Sequence, residues 1–207
     1  MKTKRLTPGD VAQGAEIIAS GGLLGIPTET VYGLGANGLA PEAVKAIFEA
    51  KGRPQDNPLI LHIPSEDWLE RYCGDIPPVA YELAARFWPG PLTMILYRKP
   101  GLVPDIVTAG GETVGVRCPD HEMTLQLLQM AGVPLATPSA NLSGMPSAKD
   151  LKSVLAYFDG KIPCAVDGGA CLVGVESTIV DLTVTPYKIL RQGGLSERCI
   201  AEALTGE

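Results

Sequence analysis

The chain has 207 residues, about 1.4 times a rough 150-residue domain, so a single domain over residues 1–207 is the expectation. With 45% apolar and 19% charged residues it is a core-forming sequence and not a disordered one. Lys plus Arg number 17 against 23 Asp plus Glu, a formal charge of -6, which excludes a global basic field for nucleic acid or anionic lipid but not a local basic pocket.

The N-terminus reads MKTKRLTPGD and has no apolar stretch before Pro8, so it is read as no signal peptide. No apolar run approaches the roughly 18 residues of a membrane helix. No membrane partner and a cytoplasmic place are therefore expected. The cysteines are Cys73, Cys118, Cys164, Cys171 and Cys199, an odd count without a CxxC. With only His62 and His121 beside them, reduced structural thiols are expected and no metal site.

Thr7-Pro8-Gly9-Asp10 reads as a helix start, with Thr7 as cap, Pro8 in the first turn and Val11, Ala15, Ile18 and Ala19 forming an apolar face up to Gly21-Gly22. Residues 23–26 read as a short buried strand stopped by Pro27. A helix follows over 41–51, closed by Gly52, then a strand over 59–63. Helices are expected near 66–72 and 78–87, the second broken by Trp88-Pro89-Gly90-Pro91. Strands at 92–97 and 114–117, a helix at 121–131 and a strand at 135–137 come next. A helix over 147–158, strands at 165–166, 178–182 and 188–190, and a terminal helix capped by Ser196 complete the reading. Alternating helices and strands, with apolar strands that lack strict alternation, indicate an α/β sheet covered by helices.

Several familiar motifs fail. Residues 33–38 match GxGxxG, but Thr28 to Tyr32 separate them from the strand, Pro41 delays the helix, and about 20 residues on stand Lys51 and Arg53 where an acid is needed. No GxxxxGK[ST] and no GxSxG occurs. Asn141-Leu142-Ser143 fits a glycosylation triplet that a cytoplasmic chain does not use.

Four loop segments instead share small hydroxyls, glycines or a cation at element ends: 27–34, 51–59, 137–141 and 176–178. Loops beyond strand C-termini can converge on a ligand. Lys51 and Arg53 flank Gly52, so both heads can reach one anion, although a lysine at a helix C-terminus also suits the dipole. Arg117, ending a buried strand, needs either a protein carboxylate or an anionic ligand. Arg191 repeats the pattern after Lys188-Ile189-Leu190. Ser139 and Asn141 can bond phosphate, carboxylate or ribose, or simply form a turn. His62 is either a satisfied core histidine or a polar ligand contact. Trp68, Trp88, Phe48 and Phe87 read as packing.

The strings PTETVYGLG (27–35), KGRPQDNPLILHI (51–63), WPGPLT (88–93), VGVRCP (114–119), TPSANLSG (137–144), ESTIVD (176–181) and ILRQGG (189–194) closely resemble the YrdC-like family, the L-threonylcarbamoyladenylate synthases. They stand in the family's order and span about residues 7 to 204. The resemblance implies an α/β fold: an open, twisted mixed sheet with flanking helices and a concave ligand-binding surface, in the short single-domain form. It implies synthesis of threonylcarbamoyl-AMP and pyrophosphate from L-threonine, bicarbonate (or CO2) and ATP, with Mg2+ accompanying ATP. The product feeds threonylcarbamoyl modification of adenosine 37 in tRNA, completed by a separate tRNA threonylcarbamoyl transferase complex. By the same resemblance Thr30, His62, Arg117, Thr137 and Ser177 hold threonine. Arg53, Asn57, Thr113, Ser139, Asn141, Ser147 and Arg191 hold ATP, with Ser147 opening a helix. Lys51 and Arg53 serve the reacting groups. The competing class is a tRNA- or RNA-binding module, or an inactive paralogue of the same fold.

Overall fold

The computed structural model describes residues 2–205. In chain order these form β1 (Lys4–Leu6), α1 (Val11–Ala19), β2 (Leu24–Ile26), β3 (Gly33–Asn37), α2 (Pro41–Lys51) and β4 (Ile60–His62). Next come α3 (Leu69–Tyr72), α4 (Pro78–Phe87), β5 (Leu92–Tyr97), α5 (Asp105–Thr108), β6 (Thr113–Arg117) and α6 (Glu122–Ala131). The last are β7 (Leu135–Ala136), α7 (Leu151–Phe158), β8 (Cys164–Val166), β9 (Thr178–Asp181), β10 (Lys188–Arg191) and α8 (Glu197–Thr205). Among the described residues no helix is long and apolar enough to cross a membrane.

The strands make one ten-stranded sheet in the order β1-β8-β2-β3-β7-β4-β6-β5-β9-β10. It is mixed: β8 is parallel to β1 and β2, β4 to β6, and β5 to β9, and the remaining pairs are antiparallel. Alternate residues of a strand face opposite sides. In β8, Cys164 and Val166 join a core under α1 and α6, whereas Ala165 joins the larger core of α2, α4 and α7. Gly25 lets these layers close up, since a Cβ there would lie 2.9 Å from Ala165 Cβ and 3.1 Å from Val154 Cγ1.

Four departures from the sequence reading have physical causes. β1 carries two exposed charged residues and one buried leucine, so it has no apolar signature. α5 is one turn long, too short for a helical period. β3 is the glycine-rich GLGAN, which reads as a loop but is held between β2 and β7. The helix expected from Ser147 begins at Leu151, because the Asp150 carboxylate accepts from Ser153 N at 2.7 Å and fixes the N-terminus there. Ser147 therefore does not open a helix and offers no helical anion site. At the start of the chain Thr7 is the N-cap of a 3-10 turn over Pro8–Asp10 that leads into α1, and the Asp10 carboxylate reaches back to accept from Thr7 N at 2.8 Å, the reciprocal arrangement of a capping box. All five cysteines are unpaired, and burial raises the Cys73 and Cys118 thiols to about 12, which keeps them as inert apolar fillers.

Candidate functional site

A cavity of about 310 Å³ lies over one face of the sheet. Its floor is Ile60 of β4, Gly115 of β6 and Ile95 of β5, which stand side by side in register. A Cβ on Gly115 would lie 3.2 Å from both Ile60 Cγ1 and Ile95 Cδ1, so the glycine hollows the floor. The site is thus built on a concave face and not only beyond strand C-termini. Antiparallel pairing is the reason, because it sets the start of β6, at Thr113, beside the end of β5, at Tyr97.

The walls are the four predicted loops. Residues 137–141 are stitched to β3 and β4: Thr137 N donates to Ile60 O at 2.9 Å, Leu34 N to Pro138 O at 2.8 Å, and Ala140 N to Tyr32 O at 2.7 Å. The stitch needs Gly33, where a Cβ would fall 2.3 Å from Thr137 Cγ2. After β2 the chain turns through Thr28, whose hydroxyl donates to Val31 O at 2.6 Å and sits 2.9 Å from the Thr30 hydroxyl. Opposite, Ser177 Oγ is 2.7 Å from Thr93 Oγ1 and accepts from Arg191 Nη2 at 3.2 Å.

Three arginines line the cavity. Arg117 is buried and has found the protein carboxylate that a buried arginine needs. Its Nη2 donates to Glu29 Oε1 at 2.7 Å and its Nε to Gly90 O at 3.1 Å, yet it remains in the lining. Arg191 donates through Nε and Nη2 to Ser177 O. Arg53 folds back on its own loop, donating to Asn57 O at 3.2 Å and Pro58 O at 3.1 Å. Their charges repel. Burial and then the Arg191 charge lower Arg53, while partial burial lowers Arg191, with Glu176 opposing and Arg117 adding. A cluster of cations in an acidic protein is relieved by an anion.

Lys51 stands behind this row. It is buried at the last turn of α2, where Gly52 at φ 59° ends the helix. Its Nζ donates to Asn141 O at 2.5 Å and also to Ser139 O, and its main-chain oxygen accepts from Ser143 N at 2.9 Å. Burial, then the Arg53 charge, lowers it to about 8.

His62 ends β4 directly beside Arg117 and lines the cavity. Its Nδ1 is buried without a hydrogen-bond partner. Burial, then Arg117, holds it well below 6.5, so the folded protein keeps it neutral. The unfolded chain takes up that proton near pH 6.5. The stability that His62 contributes is therefore full above 6.5 and is lost as pH falls below it. Thermal melting from about pH 7.5 to 5 is expected to show this fall, and His62→Gln to reduce it. Equal slopes in parent and variant would refute the assignment.

Of the predicted residues, Thr30, Arg53, Asn57, His62, Thr113, Arg117, Thr137, Ser139, Ser177 and Arg191 are brought together in the lining. Lys51, Asn141 and Ser147 are not. Asn141 is buried and spends its amide on Leu142 O and Met145 O. Ser147 donates to Glu176 Oε1 at 2.5 Å, and that bond holds the Glu176 carboxyl below its ordinary range. Sequence reasoning missed Glu29 and Glu176. The signal for Glu29 was its place as the lone charge in PTETVYGLG. Glu176 is the sole carboxylate in the lining, and among the described residues no group of three His, Cys, Asp or Glu side chains can hold a metal. One carboxylate does not make an all-protein magnesium cage, which takes several oxygen ligands.

The profile of the Sua5_yciO_yrdC family, described as "Telomere recombination", matches residues 16–193. Threonylcarbamoyl-AMP synthase of Pyrococcus abyssi is 52% identical over 192 residues, covering 93% of this chain and 56% of that protein. The Bacillus subtilis enzyme of the same name is 47% identical over 216 residues, covering 100% and 62%. The crystal structure of P. abyssi Sua5 complexed with L-threonine superposes with a TM-score of 0.95 at 47% identity, covering 99% of this chain and 61% of that one. The chain thus spans less than two thirds of the length of these relatives. Its concave mixed sheet, its loop strings and these matches agree, and the chain belongs to the Sua5/YciO/YrdC family.

Proposed function

We propose that residues 1–207 form a threonylcarbamoyl-AMP synthase unit that acts on L-threonine, bicarbonate or CO2, and MgATP. The observation that carries this reading is the row of arginines over a hollowed sheet face, backed by Lys51 and interleaved with serine and threonine hydroxyls. Such a site suits two anions that must be brought together. The threonine amine, once neutral, adds to CO2 and releases a proton, giving an N-carboxylate. An oxygen of that carboxylate attacks the ATP α-phosphorus, and the α–β bridging bond breaks to release pyrophosphate. The nucleophile is already anionic, so no serine, cysteine or strong base is required to activate it. Neutral His62 beside Arg117 suits an accepted hydrogen bond from the substrate better than proton abstraction. The chain's own contribution is positioning and charge stabilisation. Magnesium enters as part of the nucleotide and supplies further charge neutralisation.

In this reading Thr30, His62, Arg117, Thr137 and Ser177 meet threonine, while Arg53, Asn57, Thr113, Ser139 and Arg191 meet the nucleotide. Lys51 and Asn141 shape the loop between them. The product would supply tRNA threonylcarbamoylation in the cytoplasm through a separate transferase. The test is pyrophosphate release from MgATP and bicarbonate, with and without L-threonine, with the adenylate trapped for mass spectrometry. Threonine-dependent release with a threonylcarbamoyl-AMP mass is expected. Nucleotide binding without turnover in a folded sample would overturn the reading, and salt-sensitive RNA binding alongside it would favour the RNA module.

A further inference from the structure

Glu29 carries a charge into this site, and neither the threonine set nor the nucleotide set uses it. It lies between Thr28 and Thr30 in the loop after β2, and it is buried without being part of the cavity lining. Both carboxylate oxygens are engaged. Oε1 accepts from Arg117 Nη2 at 2.7 Å, and Oε2 accepts from Asp120 N at 3.1 Å. Its main-chain oxygen accepts from Val173 N at 2.8 Å, which ties the same residue to a third segment. With Arg117 Nε on Gly90 O, two of the three guanidinium nitrogens are fixed, and Nη1 is the one left to meet a ligand.

We infer that Glu29 is a positioning residue for the carboxylate of the amino-acid substrate, acting through Arg117 without touching that substrate. The inference rests on the synthase reading above. A guanidinium can rotate about its stem, and its remaining Nη1 N–H groups meet a carboxylate only when the guanidinium plane is aimed at it. Glu29 fixes that plane from behind. It also offsets a charge whose field already reaches Arg191 and His62. Glutamine cannot replace it. Both oxygens accept, one from a guanidinium and one from a main-chain N–H, whereas an amide has one acceptor and must turn its NH2 toward a donor.

The experiment measures pyrophosphate release with varied L-threonine and then varied MgATP, plus calorimetric L-threonine binding. The proteins are the parent, Glu29→Gln and Glu29→Asp, each checked by thermal melting. Glu29→Gln is expected to raise the KM and Kd for threonine about tenfold or more and to leave the KM for ATP within about twofold. Glu29→Asp keeps the charge and is expected to lose less. Unchanged threonine affinity, or parallel rises in both KM values, would overturn the inference, because a merely structural residue has no reason to single out one substrate. Unfolding of both variants would overturn it too and leave Glu29 a stability residue. A parent that binds threonine without turnover defeats the synthase reading alone, and the calorimetric comparison then still decides the role of Glu29. A parent that binds no threonine overturns both.

Discussion

Lys51→Met is expected to lower threonine-dependent pyrophosphate release about a hundredfold or more, the scale on which a preorganised electrostatic group acts. The ammonium does not line the cavity. It clasps the Ser139 and Asn141 carbonyl oxygens and so sets the height of the loop that carries the Ser139 hydroxyl into the lining. Methionine fills similar space but donates nothing. Asn141 O then loses its donor, at about 1–3 kcal/mol where it stays buried, while Ser139 O keeps the Asn141 N–H at 3.0 Å, and the cation behind Arg53 is gone. Lys51→Arg is not expected to rescue, because a planar fork does not fit a point clasp inside a buried site. The Lys51 ammonium is held down to about 8, so kcat/KM for MgATP in the parent should decline as pH rises through that value. In Lys51→Met that decline should vanish along with most of the rate. Turnover by a folded Lys51→Met protein within about fivefold of the parent would contradict the role.

Arg117→Ala is expected to destabilise the fold by about 3–5 kcal/mol, because it leaves the Glu29 carboxylate buried without its partner. For a chain of this size that is a fall in Tm of about 6–20 °C. Threonine binding should be lost as well, since Arg117 is the buried cation nearest His62 in register. Glu29→Ala combined with Arg117→Ala separates the two effects. Removing both partners removes the uncompensated charge, so the double variant should recover part of the stability and none of the threonine affinity. Additive losses in Tm would show that the pair is not coupled.

Long apolar periods were legible in the sequence. The helices at Pro41–Lys51 and Pro78–Phe87 and the strand at Leu92–Tyr97 fall where patterning puts them, with Gly52 and Trp88-Pro89 as their stops. Ten lining residues were legible as well, though from whole strings and not from spacing, because single serines and threonines carry no local mark that separates a ligand contact from a turn. β1 and α5 escaped, the first because two of its three residues are exposed charges and the second because one turn does not complete a period, whereas the equally short buried strands β2, β4 and β8 were read from their apolar runs. Ser147 was misplaced onto a helix because the Asp150 cap starts that helix at Leu151, and the Ser147 hydroxyl goes instead to Glu176, 29 residues away.

By itself the sequence determined the composition class, the helix periods and the chemical kind of each loop: a cation pair around Gly52, hydroxyls around Pro138, an arginine at the end of a buried strand. Only the tertiary structure decided what each charge does. Lys51 and Arg53 stand two residues apart, yet the first turns inward to main-chain oxygens and the second reaches the cavity. Arg117 finds its carboxylate 88 residues away at Glu29. A local pattern sets the backbone through short-range hydrogen bonds and burial periods. The field at a buried charge is summed over groups that meet only when the sheet closes, so no stretch of sequence contains it.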